Sequence, residues 1–163
     1  LSDRGVTVIE FAVVGPLFLA IIGATIETAL AFFAGYALDA AVIDSSRLIR
    51  VGQTAYVSSA EDYRGVLCGR LYGIFDCDGL HISVRPISSF AAFQATNPID
   101  PATGSWTGAE VYNPPMGSGE IAMIEAYYKW PTFFNIPGLN PNPTGDGKRL
   151  LVATHAFRTE PSI

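Results

Sequence analysis

Glu10 is the residue whose type and position best fit it for chemistry. It stands inside an apolar run, and no charged residue falls between it and Glu27. A carboxylate in such a run is costly in a bilayer and needs a partner. In one reading the partner is an amine, because opposite charges attract far more strongly in low dielectric than in water. In the other, Glu10 snorkels at the inner headgroups. Glu27 lies about 25 Å further along a helix. That places it near the outer interface, where it either meets water or packs against a partner helix.

Other reactive residue types lack the company that chemistry requires. His81 and His155 each fall in an expected strand, and no Cys/His spacing matches a zinc site. Asp76 and Asp78 flank Cys77 as turn residues without a calcium loop after them. Gly145-Asp146-Gly147-Lys148 resembles a phosphate loop only superficially: Asn142 stands where the upstream Gly is needed, and Arg149 replaces Ser/Thr. No G-x-S-x-G occurs. The expectation is therefore no catalytic residue, no metal, no cofactor and no enzyme. Cys68 and Cys77 would close a short loop in an exported domain, a bridge stabilising by about 2–3 kcal/mol in the chain-entropy model. The alternative is two buried thiols.

The composition fits one membrane segment plus one small domain. The chain has 163 residues, is 49% hydrophobic and 15% charged, and has a mean hydropathy of +0.30. That is too apolar for an ordinary soluble domain and too charged for several spans. A net charge of -5, with no basic stripe, excludes nucleic acid as a partner. The sequence lacks an initiator Met, which suggests a piece of a longer product. A cleaved secretory signal fits poorly, because the apolar stretch continues as helix. Arg4 marks the cytoplasmic flank and places the C-terminal domain outside.

These residues need elements to hold them. A single helix is expected from near Val6 to near Gly52, long enough to span a bilayer. Pro16 should kink or loosen it, and Gly52 should sit at its C-cap. Beyond the membrane the helix should be amphipathic, with Phe33, Tyr36, Ala37, Ala40 and Ile43 available to cover a core. Ser58 and Ser59 are candidate N-caps for a second helix over Ala60–Phe75, built on Tyr63, Val66, Leu67, Leu71 and Ile74 and ending just before Cys77. Strands are expected over Leu80–Ile87, Glu120–Trp130 and Arg149–Phe157, the last with Leu150, Val152, Thr154 and Ala156 on one face. Ser88–Gly119 should be mostly loop, and Asp146-Gly147 should turn the chain before the last strand. The fold class is α+β: a membrane-spanning helix whose outer half packs on a small antiparallel meander with a second helix. The expected domains are a membrane-embedded helix half over 1–35 and an extracytoplasmic pilin-like domain over 36–163.

Several segments together carry a family resemblance. Asp3-Arg4-Gly5-Val6 leads to Glu10-Phe11, with Pro16 within the apolar run and Glu27 late in the span. Cys68-Gly69-Arg70-Leu71 and Phe75-Asp76-Cys77 form a paired-cysteine region. Tyr128-Lys129-Trp130-Pro131 and Ala156-Phe157-Arg158-Thr159-Glu160-Pro161 follow. On these segments the chain resembles the TadE-like pseudopilins of the tight-adherence (Flp, type IVc) pilus system. The resemblance implies cleavage by a prepilin peptidase between Gly5 and Val6 and a role in assembling a pilus for surface attachment. After that cut, the Val6 α-amine could pair with Glu10. Residues Leu1 to Gly5 are still attached here, so the chain is either a precursor or a member used uncleaved, and an uncleaved chain offers Glu10 no such amine. Glu10-Phe11 also departs from the Glu-Tyr usual in major Flp pilins.

The leading expectation is a membrane-anchored pseudopilin or minor pilin of such a pilus. Its partners would be other pilins or copies of itself, the prepilin peptidase and inner-membrane lipid. It would sit in the bacterial inner membrane with its C-terminal domain in the periplasm, or outside the cell in a pilus. A repeating filament subunit is the first alternative; the small residues Ala20, Gly23, Ala24, Ala31, Ala34 and Gly35 would allow close helix contact in either case. The second alternative is a membrane-anchored periplasmic binding module. Its loops around Trp106, Tyr112 and Pro114-Pro115 would hold a glycan or peptide.

Overall fold

The computed structural model describes residues 3–53, 56–92, 97–100, 102–108, 110–115, 117–132, 143–144 and 146–160, with α1 side chains from Val8 onward. The first element, α1 (Asp3–Arg50), is a single helix of 48 residues that runs unbroken through Pro16. A Pro costs a helix one hydrogen bond and crowds the carbonyl four residues back; this helix continues through it. Gly52 ends α1 in the left-handed region at φ 75°. Its N–H bonds to the Ile49 carbonyl, and the Gln53 N–H reaches the Leu48 carbonyl at 2.8 Å. Together these form a Schellman cap, as the Gly at this position leads one to expect.

α1 is two helices in character. From Val8 to Leu30 its large apolar side chains face outward from the molecule, and 6% of its most apolar window is buried. From Ala31 on, one stripe is buried: Ala31, Ala34, Leu38, Ala41, Val42, Ser45 and Ile49. This corrects the expected core face. Of the residues expected to cover the core only Ala37 is buried; Phe33 and Tyr36 are 59% and 74% exposed, and Ala40 and Ile43 also face outward. Small alanines let the helix axis approach the sheet closely, while the aromatic side chains would hold it away.

The second helix, α2 (Ala60–Cys68), starts at Ser59, whose hydroxyl accepts from the Asp62 N–H while the Asp62 carboxylate accepts from the Ser59 N–H. This is a complete capping box. Ser58 also donates to Asp62, at 2.9 Å. The hydrogen bonds from Ser58, then Ser59, hold the Asp62 carboxyl below its usual range. α2 is shorter than expected. It closes at Gly69, and the chain then turns through Tyr72 (φ 53°) and Gly73 (φ 70°), which no helix accommodates. Leu71 and Phe75 reach the core from this turn, while Ile74 stays exposed. The helix therefore ends at Cys68 and not just before Cys77. A 3-10 turn over Cys77–Gly79 leads into the sheet.

The sheet has the order β2-β1-β3-β5-β4. Its three long strands, β1 (Leu80–Ile87), β3 (Ile121–Trp130) and β5 (Lys148–Arg158), form the expected antiparallel meander. Two short edges add to it: β2 (Val111–Tyr112), parallel to β1, and β4 (Pro143–Thr144), paired with β5. Asp146-Gly147 makes the β4–β5 turn, with Gly147 at φ 76° donating to the Thr144 carbonyl. Among the described residues of Ser88–Gly119, β2, a 3-10 turn at Phe90–Ala92 and the Ile99–Trp106 bridge are the regular pieces.

One face of the sheet packs on α1 through Leu80, Ile82, Val84, Ile124, Ala126, Tyr128, Leu151, Ala153 and Phe157. For β5 this is the face opposite Leu150, Val152, Thr154 and Ala156, and Val152 is half exposed. β3 is buried along Ile121–Tyr128 on both faces. The central strand thus lies between α1 on one face and residues 98, 106–108 and 110 on the other. The fold is α+β.

Candidate functional site

The first candidate site is the outward-facing half of α1. Among the described residues it is the one helix long and apolar enough to cross a membrane, with a mean hydropathy of 2.1. Its backbone amides are satisfied within the helix, and two of its hydroxyls are as well: Thr25 and Thr28 each donate to the carbonyl four residues back, at 2.8 Å. Both requirements suit an apolar solvent. Gly15 lies beneath the Phe11 ring, where a Cβ would meet ring carbons at 3.5 Å. Pro16 follows with its side chain outward.

Gly5 and Val6 lie within the first turns of α1; their side chains fall outside the described residues. Glu10 is exposed, and among the described residues it makes no ion pair. Glu27 differs. It is half-buried and stands one turn before Ala31, where the buried stripe of α1 begins. The two carboxylates that look alike in sequence therefore face different surroundings: Glu10 faces away from the domain, and Glu27 sits at the edge of the seam where the domain begins.

Cys68 and Cys77 are joined by a disulfide, with their Cα atoms 5.9 Å apart. The bridge ties the end of α2 to the turn before β1. Phe75 within the bridged loop packs edge-on against Tyr128, at 4.8 Å between ring centroids, and against Trp130 at 5.5 Å. The Asp76 N–H donates to the Tyr128 hydroxyl at 3.2 Å. The loop is thus packed against β3. At the far end of α1, Arg50 pairs with Glu160 at 2.7 Å, and the Glu160 N–H bonds to the Arg50 carbonyl. Arg70 pairs with Asp44, fastening the turn after α2 to the same helix.

A second site was read from the sequence only in part, as a loop around Trp106 that would hold a glycan or peptide. On the sheet face away from α1, a cleft of about 280 Å³ lies between the strands and residues 98, 106–108 and 110–111. His81, Ser83 and Arg85 of β1 and Glu125 and Tyr127 of β3 rise into it, and Trp106 and Pro98 wall it. Trp106 stacks on His81 at 3.8 Å, and the Lys129 ammonium lies 5.1 Å from its ring centre. Glu110 pairs with Arg64 and accepts the Ile82 N–H, holding the loop to β1. Glu125 is 2% exposed. One of its oxygens lies 3.5 Å from Arg85 Nη2. The other, Oε1, is buried without a hydrogen-bond partner among the described residues. Burial lowers the His81 pKa, Glu110 opposes that shift, and Arg64 and Lys129 reinforce it. The sequence signals for this site were the Trp106 loop and Glu125, a carboxylate set among the apolar residues of β3. Among the described residues no group of acidic, His or Cys side chains could hold a metal ion.

No curated protein and no solved structure matches the chain. A family model does: the one described as TadE-like protein matches residues 5–47. The match covers the outward-facing half of α1 and most of its domain-packed half, including Glu10, Pro16 and Glu27. The N-terminal helix of this chain is TadE-like.

Proposed function

We propose that the chain is a membrane-anchored pseudopilin acting in the assembly of a tight-adherence pilus for surface attachment. The observation that carries this reading is the coincidence of the TadE-like match with a helix whose first half presents apolar residues to no part of its own domain. An apolar helix half held out from a folded domain can be satisfied by lipid and by other helices of the same kind. A helix-borne domain can then move from membrane to filament without refolding. In this reading residues 1–35 lie in the inner membrane and 36–163 in the periplasm, where an oxidising compartment suits the Cys68–Cys77 bridge.

Cleavage by a prepilin peptidase between Gly5 and Val6 belongs to the same proposal. It would place a free α-amine one helical turn from Glu10, where a neighbouring copy or another pilin could pair with it. Glu10, Pro16 and Glu27 are then the residues through which the helix meets its neighbours. Deleting the gene and inspecting the cells by negative-stain microscopy tests the assembly role. Loss of thin Flp-type fibres supports it. Unchanged fibres, or loss of a fibre whose mass is mainly this chain, would replace it, the latter with a repeating subunit. The mass of the native N-terminus decides the cleavage.

A further inference from the structure

The cleft on the outer sheet face has a feature that folding alone does not account for. Glu125 Oε1 is enclosed with no hydrogen-bond partner among the described residues, although Arg85 and the Tyr127 hydroxyl meet the same carboxylate, whereas a buried carboxylate ordinarily has both oxygens bonded. An unsatisfied acceptor destabilises a fold and is expected where a site awaits a donor. Glu125 also lines the cleft. The terminal torsion of a Glu is broad, so its carboxylate can turn Oε1 toward the opening at the expense of its contacts with Arg85 and Tyr127.

We propose that this cleft binds one neutral, polyhydroxylated ring, a sugar unit. This inference stands apart from the pilus reading and rests on no part of it. Charge balance argues for a neutral ligand. Arg85 faces Glu125, Arg64 pairs with Glu110, and Lys129 pairs with Asp146 at 3.3 Å. An ionic ligand would bring an uncompensated charge into a half-enclosed space. The floor offers a donor, Arg85, beside an acceptor, Glu125 Oε1, with the Ser83 hydroxyl between β1 and β3 directly opposite Glu125. A sugar hydroxyl both donates and accepts, and so suits such a pair. Trp106, Tyr127 and Pro98 supply apolar walls for the C–H faces of a ring. At about 280 Å³ the cleft falls just below the size of sites for drug-like ligands, which suits one ring and not a long chain.

The test uses the full chain in a zwitterionic, sugar-free detergent, titrated with methyl glycosides of glucose, galactose, mannose and N-acetylglucosamine. Binding is read by saturation-transfer NMR on the glycoside. At least one glycoside should bind saturably. Glu125→Gln and Ser83→Ala should each weaken it, the former about tenfold or more because the acceptor loses its charge. If Glu125→Gln does not fold, Ser83→Ala decides alone. Three results would overturn the proposal: no glycoside binding, binding that survives the substitutions, or tighter binding of the cationic amines cadaverine or agmatine than of any glycoside.

Discussion

The hydroxyls of Ser45 on α1 and Tyr63 on α2 lie 2.8 Å apart, and both residues are 0% exposed. This is the polar contact that fixes how α2 lies on the long helix, inside an otherwise apolar seam of Val42, Ile49, Val57 and Leu67. Burial pushes the Tyr63 pKa well above the usual tyrosine range, while the Ser45 hydrogen bond opposes that shift. Tyr63→Phe removes the hydroxyl and keeps the ring. Ser45 retains its bond to the Val42 carbonyl at 3.1 Å, so the loss should be about 1 kcal/mol. Tyr63→Ala should cost about 3–5 kcal/mol, as truncations of buried aromatic residues do. Urea unfolding of the detergent-solubilised chain measures both, and equal midpoints for Tyr63→Phe and Tyr63→Ala would show that the ring is not in the core.

The bridge and the capping box stabilise opposite ends of α2. Cys68→Ser with Cys77→Ser should lower stability by about 2–3 kcal/mol through the unfolded state. Ser59→Ala should lower it by about 0.5–2 kcal/mol through the folded one. The sites lie at different ends of the helix, so the two losses should add. Denaturation of the single, double and triple variants would reveal coupling, if it exists, as a departure from additivity.

The long helix and the three long strands were legible because each has a strong local signal. Gly52 marks the helix end, Asp78-Gly79 precedes β1, and β3 is apolar along most of its length. The phase of α1 was not legible. Phe33 and Tyr36 looked like core residues by size, yet the sheet accepts only the alanine stripe at close range. The end of α2 was misread for a related reason. Leu71 keeps helical spacing with Leu67, but Gly69 and Gly73 release the backbone while the hydrophobic side chains still reach the core. The Glu125 cleft was legible only through its Trp106 wall, and its floor was not. It depends on which β3 residues share a face with His81 and Arg85, and on a loop that crosses that face from far away in the sequence.

Both histidines carry pKa values below their usual range, and burial is the leading cause for each; Asp39 opposes the shift at His155 while Arg50 reinforces it. A His with a depressed folded pKa binds its proton more readily when unfolded. Its contribution to stability is therefore complete above about pH 6.5 and is lost as the pH falls through the folded value. The urea midpoint should fall on acidification from about pH 7 to about pH 5. His81→Gln and His155→Gln should each flatten that fall. Tyr112 gives the opposite sign at the other extreme: burial, reinforced by Asp62, raises its pKa to about 12. Stability held below about pH 10 should decline as the pH climbs toward the folded value.

Glu10 and Glu27 should separate assembly from folding. Glu27 sits half-buried one turn before the domain-packed stripe, and it interacts within the chain. Glu10 is exposed on the half of α1 that touches no other element. Glu27→Ala should therefore lower the stability of the isolated chain. Glu10→Ala should leave that stability within about 0.5 kcal/mol of the parent, as expected of an exposed position. In the cell the order should reverse. On the proposed pairing, removing Glu10 leaves an amine unpaired in low dielectric, a loss of roughly 3–5 kcal/mol when the pair is buried. Pilus yield should then fall more for Glu10→Ala than for Glu27→Ala, at equal chain abundance. Parental yield with Glu10→Ala would mean that this carboxylate only rests among the headgroups, and the proposed contact between copies would have to be sought elsewhere on the helix.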